Sequence, residues 1–163
     1  MTARPSTLRA LMSPKGGAKA EAVSHCEALW KSNPLVMDKW FSVQASTGTA
    51  EDVKRLIAHP DFDLRNPNRV RAVIGAFAMQ NLAAFHAPDG SGYRAVEGTI
   101  LAADKVNPAL GARLMTAFEQ WRLLEPRARA EAEACLRRLI EAGLSENAMD
   151  IASRALSDPA QTS

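Results

Sequence analysis

Histidine, cysteine, serine and arginine are the side chains of this sequence that could carry chemistry, and their spacing decides how much is open to them. His25, His59 and His86 lie 34 and 27 residues apart. A helical zinc pair needs two imidazoles at i and i+4, projecting from one face. None of the three has such a neighbour, so each reads as a surface or packing histidine. Ser91, in Gly90-Ser91-Gly92, lacks the Gly-x-Ser-x-Gly spacing of a nucleophile elbow and has no strand before it. Asp89-Gly90 instead predicts a tight turn, with Gly90 at positive φ and Ser91 capping the next helix. Cys26 and Cys135 fall on separate predicted helices among apolar residues, which suits two reduced, buried thiols. Tyr93, the only tyrosine, is expected to pack with its hydroxyl at the surface or on a backbone carbonyl.

The arginines are more suggestive. Arg65, Arg69 and Arg71 gather at the start of a helix opened by Asn66-Pro67. A helix N-terminus already carries positive potential, so guanidinium groups there call for an acidic partner. Asp61, Asp63, or a carboxylate on another domain or ligand could supply it. Arg113 follows a second start of the same kind, Asn107-Pro108, and could face an acidic partner across a gap. Salt bridging within the fold and a binding role are both open for these side chains.

The elements that position them are helices. Alanine and leucine are abundant, aromatics make up only 6%, and β-branched runs are absent. A short helix is expected over 6–12, broken by Ser13-Pro-Lys-Gly-Gly17. A second runs to about Lys31 with Ala22, Cys26, Leu29 and Trp30 on one face. Asn33-Pro34 opens a third, burying Val36, Met37, Trp40, Phe41 and Val43 or Gln44. Thr49-Ala-Glu-Asp52 has the form of a capping box before a helix carrying Val53, Leu56 and Ile57. Asparagine followed by proline satisfies orphan donors without losing a bond, and after Asn66-Pro67 the residues Val70, Val73, Ile74 and Phe77 form one stripe. Asn107-Pro108 precedes Leu110, Leu114, Ala117, Phe118 and Trp121. Glu125-Pro126 precedes Ala130, Ala134, Leu136, Leu139 and Ile140. Gly143 is a natural C-cap, and Ser145 starts a last helix with Met149, Ile151, Ala152 and Leu156.

Short helices joined by tight turns pack as antiparallel hairpins, and hairpins stack. The fold class is therefore all-α, a right-handed α-solenoid of stacked antiparallel helix pairs. The absence of an exact repeat period makes it a degenerate HEAT/armadillo-like superhelix. With 47% hydrophobic and 23% charged residues, 163 residues suffice for a packed core. Twenty basic against 18 acidic residues give a net charge of +2, too small a field for a nucleic-acid partner. No apolar run reaches the ~18–20 residues that span a bilayer, so no membrane partner is expected. The N-terminus lacks the apolar stretch of a secretory signal, and with unpaired cysteines this leads to a cytoplasmic location.

Three segments carry a resemblance: Asn33-Pro-Leu-Val-Met-Asp-Lys-Trp-Phe41, Asn66-Pro-Asn-Arg-Val-Arg-Ala-Val-Ile-Gly-Ala-Phe77 and Ala84-Phe-His-Ala-Pro-Asp-Gly-Ser-Gly-Tyr93. Together they resemble the C-terminal helical domain of the bacterial-type aminopeptidase N family, zinc exopeptidases of the thermolysin-like class. The resemblance runs from about Ala20 to Leu156, and Asn107-Pro108 with Arg113 matches a further segment. Residues 1–19 match poorly and are set apart, with Met1 read as an added start, from a helical-repeat domain over 20–163.

The resemblance implies four domains in one polypeptide: an N-terminal β domain, a catalytic thermolysin-like domain, a small β module, and this helical domain closing a chamber that admits peptides. It implies that Ala109 edges the pocket for the substrate's first side chain, and that Arg113 and Arg71 place positive charge near the peptide's path. Asn107 and Arg69 are further candidates. Alanine at 109, where a longer side chain is common, implies a roomier wall. The His-Glu-x-x-His and Gly-x-Met-Glu-Asn segments that such an enzyme needs are absent from these residues. The chain therefore has no catalytic residue or cofactor of its own, and zinc belongs to the parent enzyme. The expected partners are the catalytic and N-terminal domains of the same polypeptide and peptide substrates. The rival reading is a free-standing helical scaffold that binds a peptide or protein on its concave face.

Overall fold

A computed structural model of the chain describes residues 34–157, and within them every regular element is helical. Expectations for the two helices before Pro34, including His25, Cys26 and Trp30, lie outside the described residues. The first described helix, α1, spans Pro34–Thr47 and buries Met37, Trp40, Phe41 and Ala45. Val36, Val43 and Gln44, expected on its buried face, are only half-buried. After a tight turn α2 follows, Ala50–Ile57. Its capping box forms as expected: the Thr49 hydroxyl accepts from the Asp52 amide at 3.2 Å, and the Thr49 amide donates to the Asp52 carboxylate at 2.8 Å.

A composite helix comes next, made of α3 (Pro67–Val70), a π-helical turn (Arg71–Gly75) and α4 (Ala76–Gln80). Asn66 caps it, its side-chain oxygen accepting from the amides of Asn68 and Arg69. Val70, Val73, Ile74 and Phe77 are buried as predicted, and so are Ala72, Ala76 and Ala78, so the helix is enclosed on more than one face. Asp38 near the start of α1 bonds Arg69 near the start of the composite helix. Asn81 at the end of that helix donates to Ala45 O and Gly48 O at the end of α1. The two therefore run side by side in the same direction, and α2 with the 58–66 loop makes the return.

Four-residue α5 (Leu82–Phe85) leads to the Asp89-Gly90 turn, where Gly90 takes φ 69° as predicted. Ser91 does not cap the following helix; it is that helix's first residue, and its amide donates to Asp89 Oδ1 at 2.9 Å. That helix, α6 (Ser91–Val106), runs beside α8 (Pro126–Glu141) in the same sense, since Arg94 pairs with Glu131 and Glu97 with Arg138. Between them lie α7 (Pro108–Met115) and two 3₁₀ turns, Thr116–Phe118 and Trp121–Leu123. The single helix expected from Asn107 to Trp121 is thus interrupted. At the break the Thr116 hydroxyl donates to Arg113 O at 2.7 Å, offering the backbone an alternative to the helical ladder.

On α8 the buried stripe is Ala128, Ala132, Cys135, Leu136 and Leu139, not the one expected through Ala130 and Ala134. Alanine alternates along the first half of this helix, so it cannot mark a face. The last helix, α9, spans Glu146–Leu156 after Gly143 at φ 84°.

The core centres on Phe85. Its ring lies 5.9 Å from Phe77, 5.1 Å from Tyr93 and 5.4 Å from Phe118, each edge-on, the arrangement aromatic quadrupoles favour. α4, α5, α6 and the first 3₁₀ turn thereby meet at one knot. Trp40 and Trp121 are core residues, 3% and 5% exposed.

Candidate functional site

α7 carries the residues singled out by resemblance, and its geometry sorts them. Asn107 spends its side-chain oxygen on the helix cap, accepting from the Leu110 amide at 3.1 Å. Ala109 and Arg113 are both exposed, whereas Leu110, Gly111, Leu114 and Met115 are buried. Residues four apart share one face of a helix, so Ala109 and Arg113 form a single outward pair. The Arg113 guanidinium has no hydrogen bond or ion pair among the described residues. Among the described residues it is an unpartnered cation, on a helix packed against α6 and α9.

Arg71 is also exposed but less free. Its Nε donates to Pro67 O at 3.1 Å and its Nη2 to Asn68 Oδ1 at 3.1 Å, which lays the guanidinium along its own helix. It opens the π-helical turn, a wider winding often found at functional positions. The π turn packs on α1, α2 and α6, while α7 packs on α6 and α9, so α6 is the element common to both arginine positions.

Arg69 has a different role. It is 6% exposed, its Nε donates to Asp38 Oδ1 at 2.7 Å, its Nη1 donates to Asp61 O at 2.7 Å, and its guanidinium lies 4.7 Å from the Phe41 ring centre. The compensating acid is thus Asp38, thirty-one residues back, while Asp61 contributes only its carbonyl. Arg65 pairs with Asp63 at 3.4 Å. The arginine cluster at Asn66 resolves into a buried tie, a surface pair and one exposed group.

Three arrangements escaped sequence reasoning. The Tyr93 hydroxyl meets neither solvent nor a carbonyl; it lies 2.6 Å from His86 Nδ1, and burial pushes the histidine pKa down and the tyrosine pKa up. Asp104, 1% exposed, accepts from the Ser145 amide and hydroxyl at 2.6 Å each, so Ser145 begins α9 without capping it through its own side chain. The signal was present: Asp104 follows Val96 and Ile100 on the buried stripe of α6, where an acid needs partners. Finally, Arg122 donates to Ala155 O, Leu156 O and Ser157 O, and Trp121 Nε1 donates to Ala155 O, closing the carbonyl end of α9.

One open groove of about 550 Å³ lies between α4–α5 and the 3₁₀ turns, with Met79, Leu82 and Leu123 among its walls and Glu119 and Glu125 at its polar edge. Among the described residues no group of three histidine, cysteine or acidic side chains could hold a metal ion. His86 Nδ1 is taken by Tyr93, and His59 Nδ1 accepts from the Asp61 amide at 3.1 Å. The described side chains therefore do not fit zinc. Cys135 is a free buried thiol whose pKa is raised by burial, with Glu97 3.4 Å away adding to the shift. Among the described residues no helix is long and apolar enough to cross a membrane.

A fold of short stacked helices, with no group of metal ligands among the described residues, defines a helical-repeat module. The family model described as a domain of unknown function (DUF3458_C) with ARM repeats matches residues 1–157, and the chain belongs to that family. The aminopeptidase N of Caulobacter vibrioides is 39% identical over 145 residues, a match covering 86% of this chain and 17% of that protein. The Escherichia coli aminopeptidase N is 40% identical over 113 residues, covering 68% of this chain and 13% of its own length. Among solved structures, Legionella pneumophila aminopeptidase A in complex with aspartic acid matches with a TM-score of 0.85 and 31% identity, over 93% of this chain and 18% of that one. The resemblance to the C-terminal helical domain of the aminopeptidase N family is thereby confirmed, as is the all-α helical-repeat fold. The matches span less than a fifth of each of these relatives.

Proposed function

We propose that this chain is the domain that closes the peptide chamber of a zinc aminopeptidase, an enzyme that removes N-terminal residues from peptides. The observation that carries the reading is the outward pair on α7: a small side chain at Ala109 and a guanidinium at Arg113 unpaired among the described residues, both exposed on one face of a helix. Ala109 edges the pocket for the first side chain, and Arg113, with Arg71, supplies positive charge along the peptide. Zinc and the groups that activate water reside in other domains of the same polypeptide, in a cytoplasmic enzyme. This domain restricts which peptides enter.

Two arms test it. An antibody raised to this chain, used to blot a lysate of the source organism, should reveal a band several times heavier than 17.6 kDa. A band at 17.6 kDa would give the lead to a free-standing scaffold. In the full-length polypeptide, Ala109→Gln should lower kcat/KM for aminoacyl anilides with bulky first residues by about tenfold relative to alanyl anilide, the discrimination one crowded pocket contact provides. Unchanged preference would remove Ala109 from the pocket.

A further inference from the structure

Asp104 is a carboxylate in the interior that makes no ion pair among the described residues. It is 1% exposed, and its two oxygens are held by one residue far along the chain, the Ser145 hydroxyl on Oδ1 and the Ser145 amide on Oδ2, each at 2.6 Å. The amide belongs to the start of α9, where the helix dipole suits an acceptor oxygen.

The same carboxylate presses on α7. At Gly111 a Cβ would lie 2.6 Å from Asp104 Cγ, closer than real Cβ atoms come, so only glycine lets α7 sit where it does. Gly111 lies between Ala109 and Arg113 in sequence. At 3.6 residues per turn it points about 200° away from each of them. Burial agrees: Gly111 is enclosed, and Ala109 and Arg113 are exposed. The carboxylate therefore bears on the back of α7, directly behind the face that carries the outward pair. The contact spans α6, α7 and α9, the elements among which α7 packs.

We infer that Asp104 is a positioning residue: clamped by Ser145 and seated on Gly111, it sets the depth at which α7 presents Ala109 and Arg113 to the peptide. This inference rests on the proposed chamber role of that pair. A misplacement of about 1 Å can cost catalysis far more than the lost contact itself. A merely structural Asp104 would affect all substrates alike.

The experiment uses the full-length polypeptide and compares a peptide bearing a free C-terminal carboxylate with its C-terminal amide, well below the unfolding temperature. Arg113→Ala should reduce the preference for the free carboxylate. Asp104→Asn and Gly111→Ala should reduce it in the same direction, through KM more than kcat. Ser145→Ala, which removes only the hydroxyl bond, should do so less and serves if the stronger variants fail to fold. If Arg113→Ala shifts the ratio while the Asp104, Gly111 and Ser145 variants leave it unchanged, the positioning role is overturned and the chamber reading survives. If Arg113→Ala and Ala109→Gln change nothing, the chamber reading fails and the inference falls with it.

Discussion

The composite helix and α7 open with the same two residues, asparagine then proline, and carry arginine soon after, yet they put that arginine to opposite uses. At Asn66 the chain returns alongside α1, and Arg69 is enclosed by Asp38, the Asp61 carbonyl and the face of Phe41. At Asn107 the helix rests its back on Asp104 and leaves Arg113 in the open. The local signal is the same in both places; each asparagine caps and each proline costs no hydrogen bond. What differs is which element lies beside the first turns. Such a start therefore announces a helix and says nothing about whether its cations are bonded or available.

The contrast breaks most readily at Arg69. Arg69→Ala would leave Asp38 and the Asp61 carbonyl without their donor in a half-buried site, and the chain should lose about 3–5 kcal/mol in urea unfolding. A loss under ~1 kcal/mol would mean that Arg69 is as dispensable as a surface group. The shared part of the contrast is tested next. Asn66→Ala and Asn107→Ala should each cost about 1 kcal/mol, similar to one another because both remove one cap. A large difference would show that the two starts are not equivalent.

Tyr93→Phe, at the junction of α5 and α6, should cost about 1 kcal/mol for the lost bond to His86. His86 has a folded pKa below its ordinary 6.5, because burial disfavours the cation. The unfolded state therefore binds more protons, and stability should fall as pH drops from about 6.5 toward the folded pKa, levelling below it. Thermal melts between pH 8 and pH 5 check the sign, and replacing His86 with glutamine should remove that part of the slope. The smallest effect is expected at Arg113, where Arg113→Ala should change stability by less than ~0.5 kcal/mol. A larger loss would show that the guanidinium supports the fold and is not free for a ligand.

Much of the architecture was legible in the sequence because its signals are short-range. The capping box at Thr49, the asparagine caps at Asn66 and Asn107, the positive-φ glycines at Gly90 and Gly143, and the stripe from Val70 to Phe77 all depend on residues within a turn or two of one another. The family segments placed Ala109, Arg71 and Arg113 as candidates, and periodicity alone puts Ala109 and Arg113 on one face. Where local signals were degenerate the reading slipped, as with the alternating alanines of α8 and the helix that breaks at Met115.

Only the tertiary structure decided which polar groups are held within the fold. Asp38 with Arg69, His86 with Tyr93, Asp104 with Ser145 and Gly111, and Arg122 with the end of α9 join residues from 7 to 41 positions apart. Most join different helices. A buried charge must find its partner in space, and the helix it finds is selected by how apolar faces stack rather than by sequence proximity. That stacking is what separates the enclosed Arg69 from the open Arg113.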